Sequence, residues 1–222
     1  MKNIFASDSL PMRALSLFTD WMYLNFLFII CSLPIFTIGA STTALYAVWF
    51  KKLRGEDVKI AKTYFAEFKS NFKQATTFWV PFLLICAFLT ADIYVAHNIL
   101  DESFRFLQYP VSITLFLIVF ATILVFPQMA MFNSPTKQII KNSALLSITN
   151  FPIIGMVIII HILIFLLAGL SAMATVITFS LFLFFGFGFL SWFFCIFYRR
   201  IFAKILGDDF EDPESDKKDD AD

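Results

Sequence analysis

NFLFIICSLPIFTIGASTTALYAVWFKK, residues Asn25–Lys52, lies in a stretch whose uncharged part runs from Trp21 to Phe50. As one helix, those thirty residues would extend about 45 Å, against a hydrocarbon core of about 30 Å. Pro34 removes a backbone donor, and Gly39 permits a turn conformation closed to other residues. Thr37 or Ser41 is then placed to cap a second helix. The stretch therefore reads as two helices joined by LPIFTIGAS, the first extended at its start by the amphipathic PMRALSLFTDW. The second limb, Ser41–Leu53, covers only about 20 Å and is expected to re-enter without a full crossing. A hairpin puts the N-terminus on the side of Lys51, whereas a single tilted, broken span puts it opposite. Lys2 and Arg13 are offset by Asp8 and Asp20, so charge hardly arbitrates, and the residues lean towards a hairpin.

The rest of the chain identifies its solvent. Of 222 residues 59% are hydrophobic and 15% charged, where a soluble domain carries about a quarter charged residues. Further charge-free runs cover Gln74–Ala91, Phe106–Thr136 and Asn142–Tyr198. Each is long enough for a spanning helix, and no soluble core hides so much apolar surface. Four clear spans are expected at about 78–97, 109–132, 151–173 and 176–198. With the broken N-terminal helix or hairpin they make five to six hydrophobic segments of an all-α, polytopic membrane bundle.

Lys51, Lys52, Arg54, Lys59, Lys62, Lys69 and Lys73 precede the first of these spans, and only Arg105 follows it. Lys137 and Lys141, an uncharged turn near Ala174, and then Arg199, Arg200 and Lys204 continue the alternation. Counting Lys217 and Lys218 of the tail, fourteen of the seventeen basic residues fall on one side, which the positive-inside rule makes the cytoplasm. The C-terminus is expected inside, with the chain in a cell membrane, which the resemblance described below makes bacterial. Between residues 57 and 75, Val58, Ala61, Tyr64, Phe65, Phe68 and Phe72 form a helical stripe flanked by Lys62, Lys69 and Lys73. This pattern favours a cytoplasmic amphipathic helix lying on anionic lipid over an ordinary core face. Residues 1–206 read as one membrane domain. Residues 207–222, acidic and without apolar period, read as a disordered tail.

Leu24-Asn25, Ser32-Leu33-Pro34, Thr37-Ile38-Gly39, Ala44-Leu45-Tyr46 and Phe68-Lys69-x-Asn71-Phe72-Lys73-Gln74 resemble the YesL-like family of bacterial membrane proteins, a family of unknown function. The resemblance covers about 15–79 and is diffuse beyond. Family members usually carry Trp a few residues after the Leu-Asn pair, where this chain has Phe28. The resemblance implies genomic company with carbohydrate-uptake transporters and their sensors, and brings no assigned activity.

Ionisable groups deep in a membrane are expensive and so point to function. His161, ten residues into its span, is the candidate for a proton relay or solute contact; the plainer reading is a neutral imidazole bonded to a neighbouring helix. Asn25 braces the hairpin or lines a site, and Pro127 kinks its helix beside Gln128. Pro34, Thr37 and Gly39 mark the broken helix as a solute site, should the protein transport. Gly186 and Gly188 allow close helix approach within a Phe-rich segment read mainly as lipid-facing bulk. Cys31, Cys86 and Cys195 read as small buried hydrophobes. No phosphate-binding loop, His-Glu-x-x-His, Gly-x-Ser-x-Gly or paired intramembrane carboxylates occur. No catalytic residue, metal site, cofactor or nucleic-acid partner is therefore expected. The expected partners are the lipid bilayer, a sugar transporter or sensor, and a second copy of the chain. The leading reading is an accessory or regulatory protein of carbohydrate uptake or sensing, and the competing one a small-solute transporter or channel.

Overall fold

The computed structural model describes residues 10–206, and among these there is no strand. The chain forms α1 (Leu10–Ser32), α2 (Ile38–Leu53), α3 (Ile60–Asn98), α4 (Gln108–Thr122), α5 (Val125–Met131), α6 (Thr136–Thr149), α7 (Phe151–Gly169), α8 (Ala172–Leu181) and α9 (Phe187–Leu206). Five helical stretches are long and apolar enough to cross a membrane: 12–32, 60–98, 102–131, 151–169 and 172–205. The acidic tail, 207–222, lies outside the described residues.

The opening stretch is a hairpin. Lys52, at the end of α2, pairs with Asp20 on the entry half of α1, so the two limbs run antiparallel. Pro34 leads a tight 3-10 turn at Ile35–Thr37, in which the Thr37 amide donates to the Pro34 carbonyl at 2.9 Å. Trp79 Nε1 pins this turn from α3 by donating to the Ile35 carbonyl at 2.8 Å. Two expectations are corrected here. Thr37 holds the N-cap position of α2 but its side chain does not cap it: Oγ1 donates back to the carbonyls of Cys31 and Pro34, both at 2.6 Å, and Ser41 lies inside the helix. Gly39 makes no turn either, because it sits in the first turn of α2 with helical backbone. Its value is steric. A Cβ there would stand 2.8 Å from Trp79 Cβ and 3.1 Å from the Ala75 carbonyl oxygen, so only glycine lets α2 and α3 approach this closely.

At 16 residues α2 reaches only about 24 Å, short of a full crossing. It is nonetheless the centre of the molecule. Ala40, Ala44, Leu45, Ala47, Val48, Trp49 and Phe50 are all buried, with α1, α3, α5 and α9 packed around them. The small residues let neighbouring helices close in, while Trp49 and Phe50 fill the wider end against Phe202.

The expected surface helix at 57–75 is instead the first half of α3, which runs unbroken through Pro81 for 39 residues, about 58 Å. Tyr64 is buried and donates to Ser41 Oγ at 3.0 Å, and Phe68 packs on the central cluster. Tyr64, Ala61, Val58 and Phe68 thus pack as a core face, while Phe65 of the same stripe stays exposed. Lys62, Lys69 and Lys73 remain exposed along its edge, and Glu67 pairs with Lys51 at 2.8 Å.

Two further differences come from backbone chemistry. The span expected at 109–132 breaks at Ile123–Leu124, because Pro127 cannot donate to the carbonyl four residues back. The connection expected around Lys137 and Lys141 contains α6, an amphipathic helix whose Ile139, Ser143 and Ser147 face inward. The expected turn near Ala174 falls at Leu170–Ser171, where Ser171 Oγ caps α8 by accepting from the Ala174 amide at 3.1 Å.

Gly39 and Gly188 are tight against other helices, whereas Gly186 is tight only against Phe182 one turn before it; a Cβ at Gly188 would collide with the Trp21 carbonyl oxygen of α1. Nothing lies within 4 Å of a Cβ built at Gly155 or Gly169. Gly39→Ala and Gly188→Ala are each expected to destabilise the detergent-solubilised protein by about 1–3 kcal/mol. Gly155→Ala is expected to be neutral or slightly stabilising, all three read as thermal unfolding midpoints.

Candidate functional site

α8 and α9 form one continuous helix interrupted by a π-helical turn at Phe182–Gly186. Asn25, fully buried on α1, fits into that turn. Its Nδ2 donates to the carbonyls of Phe182 (3.1 Å) and Leu183 (2.8 Å). Its Oδ1 accepts from the amides of Phe187 (2.9 Å) and Gly188 (3.2 Å). A carboxamide has two donor hydrogens and two acceptor lone pairs, and all are used. Asn25 therefore braces α8–α9 as well as belonging to the hairpin. The contact requires α1 and α9 to touch, which is what Gly188 allows and the Trp21, Phe189 and Trp192 rings reinforce. Part of the Phe-rich segment is thus interior packing, while Phe179 and Phe184 stay exposed.

The π turn shapes two cavities. A wide, apolar one of about 620 Å³ opens between α1, α7, α8 and the π turn, lined by Ile29, Ile164, Phe165, Phe179 and Leu183 among others. A smaller one, about 210 Å³, lies on the α2 side and is lined by Thr42, Tyr46, Ser191 and Phe194. His161, Phe182 and Phe187 line both and so form the partition. His161 Nδ1 lies 2.8 Å from the Val157 carbonyl, and its ring stacks on Phe194 with centroids 5.3 Å apart. A carbonyl only accepts, so Nδ1 donates that bond, and Nε2 takes no part in it. The plainer reading, an imidazole bonded to a neighbouring helix, is corrected: the bond goes to its own helix four residues back, and the ring is exposed towards the cavities.

The remaining candidates are dispersed. Pro34, Thr37 and Gly39 build the hairpin tip and its contact with α3, with the Thr37 hydroxyl already committed. Gln128 is 2% exposed on α5 and lines a third cavity of about 380 Å³ with Gln138 and Asn142 of α6. Lys62, Lys69 and Lys73 occupy the outer edge of α3. Tyr46 entered the sequence reading only as part of the family motif, and Thr42 and Ser191 gave no signal because small hydroxyls within apolar runs ordinarily bond their own helix. Thr42 does so with Ile38, and Ser191 with Gly188. Gln138 and Asn142, four residues apart, carry a legible same-face signal once α6 is known to be helical. Among the described residues, no group of three or more His, Cys, Asp or Glu is placed to hold a metal ion. Cys31, Cys86 and Cys195 are free thiols, and only Cys195 is fully buried.

Asn25→Leu leaves the carbonyls and amides of the π turn without their partner. It is expected to cost about 2–3 kcal/mol in thermal unfolding, since each such membrane hydrogen bond contributes about 1 kcal/mol.

The profile of a family described as "Protein of unknown function, DUF624" matches residues 21–93, the segment holding α1 from Trp21, α2 and most of α3. The chain is also similar to the uncharacterized protein YteU of Bacillus subtilis (strain 168), 31% identical over 142 residues. That alignment takes in 59% of this chain and 62% of YteU. No solved structure matches. The YesL-like, DUF624 resemblance read from the sequence stands, with the central hairpin and its α3 partner as the shared part.

Proposed function

We propose that this multi-pass membrane protein is a non-enzymatic accessory or regulatory subunit that binds another membrane protein, a carbohydrate transporter or its sensor. The observation carrying this reading is that the broken helix is closed upon itself. The space at its break is filled by Trp79 and Phe126, and the Thr37 hydroxyl and the Ile35 carbonyl there are bonded within the protein. A discontinuous helix that binds solute instead presents free backbone groups to a cavity. The carbohydrate context comes from the resemblance alone. Contact is made through the exposed face of the spans and through the rigid first half of α3, with Lys62, Lys69 and Lys73 against anionic headgroups. In this reading the ends of α2 and α9 face the cytoplasm of a bacterial cell. Arg199 donates to the Leu53 carbonyl at 3.1 Å, so both helices finish together. Reporters fused after Arg54 and after Lys204 are expected on the cytoplasmic side, and an extracellular signal from either would reverse the topology.

Small-solute transport is the second reading, favoured by the placement of His161 between two cavities. Purified protein in proteoliposomes discriminates the two. The accessory role predicts no intrinsic sugar flux, together with co-purification of a sugar transporter or sensor. Flux through this protein alone, abolished by His161→Ala at normal protein level, would establish transport instead.

A further inference from the structure

The described chain ends at Leu206, and Ile205 just before it lines the groove of about 380 Å³ shared by α5, α6 and the end of α9. Phe132, Ile139, Leu145, Leu146 and Ile205 form its apolar part. Leu145 of α6 and Ile205 of α9 are each 53% exposed, so an apolar pair stands uncovered at this end of the bundle. Both helices line one groove, and residues that follow Leu206 therefore start beside α6.

Helix geometry sets a charged row along that wall. Lys137, Lys141 and Leu145 are spaced four residues apart within α6, so they stand in line on one side of the helix, about 6 Å from one to the next. Both lysines are exposed, and among the described residues neither makes an ion pair. No acidic residue occurs between Glu102 and Asp208. Residues 208–222 then carry nine acids against Lys217 and Lys218. Gly207, directly after α9, is the residue type that ends a helix by turning the chain back. Phe210-Glu211-Asp212-Pro213-Glu214 follows, and Pro213 biases Asp212 to extended backbone. In an extended segment alternate side chains share a face, about 7 Å apart. Phe210, Asp212 and Glu214 thus repeat at nearly the step of Leu145, Lys141 and Lys137, one apolar group and then two of opposite charge.

We propose that this groove is the docking site of the chain's own acidic tail. Phe210 enters between Leu145 and Ile205, and Asp212 and Glu214 meet Lys141 and Lys137. The four residues from Leu206 to Phe210 reach up to about 13 Å, enough to turn back beside Ile205. Tethering gives the tail an effective concentration in the millimolar range, which favours it over a free partner of the same chemistry. The docking goes beyond the accessory role and does not rest on it.

Photocross-linking of the full chain in phosphatidylcholine nanodiscs, with p-benzoylphenylalanine in place of Phe210, tests this by peptide mapping. The expected product is intramolecular and joins position 210 to residues 138–146 or to Ile205. Lys137→Glu with Lys141→Glu is expected to lower its yield about tenfold, as two exposed ion pairs give way to repulsion. Adding Asp212→Lys with Glu214→Lys to that variant is expected to restore the yield. The two lysines are exposed, so their exchange leaves the packed interior untouched. Cross-links that go to lipid, to α3 or to a second copy of the chain would overturn the proposal. A yield unchanged by the lysine exchange, or not restored by the reciprocal one, would overturn it too.

Discussion

The structure depends on a single side chain bonding a helix it does not belong to. A π turn in the membrane opens backbone groups that lipid cannot satisfy, and an unpaired amide or carbonyl there is costly. Asn25 supplies both donors and both acceptors from α1, so the widened turn persists only while α1 and α9 remain in contact. The contact in turn needs the missing side chain of Gly188 and the Trp21 backbone beneath it. Through this dependency the hairpin and the last crossing form one unit, although Asn25 and Phe182 are far apart in the chain.

Inside that frame α2 plays the part that a hydrophobic core plays in a soluble protein. It is too short to cross, yet it is wrapped by four other helices, and its small residues set how closely they approach. Between helices in lipid there is little hydrophobic driving force, so close packing and buried hydrogen bonds hold the bundle. Gly39 against α3, Tyr64 to Ser41 and Trp79 to the turn are the contacts of that kind. They lie within the segment that matches the DUF624 family, consistent with a shared central module.

The same packing leaves its cavities where regular helices fail. The π turn sets the partition of His161, Phe182 and Phe187 between two spaces. The break before Pro127 places Gln128 against α6 and opens the third. Both sites follow from a backbone irregularity, one from a widened turn and the other from a missing donor.

The sequence by itself determined the solvent, the all-α class, the crossings and the hairpin's hinge, because hydropathy, length and proline act locally along the chain. It also singled out Asn25, Gln128 and His161, since a polar residue in an apolar run must find a partner. Only the tertiary structure decided which partner. Asn25 bonds a turn more than 150 residues away, Gly39 serves approach and makes no turn, and the stripe at 57–75 turns Tyr64 and Phe68 onto the core while Phe65 and the lysine edge stay exposed. An amphipathic pattern states that a face is apolar but not whether lipid or protein covers it, for both solvate hydrocarbon alike. That choice is made by steric fit between helices, which periodicity does not encode.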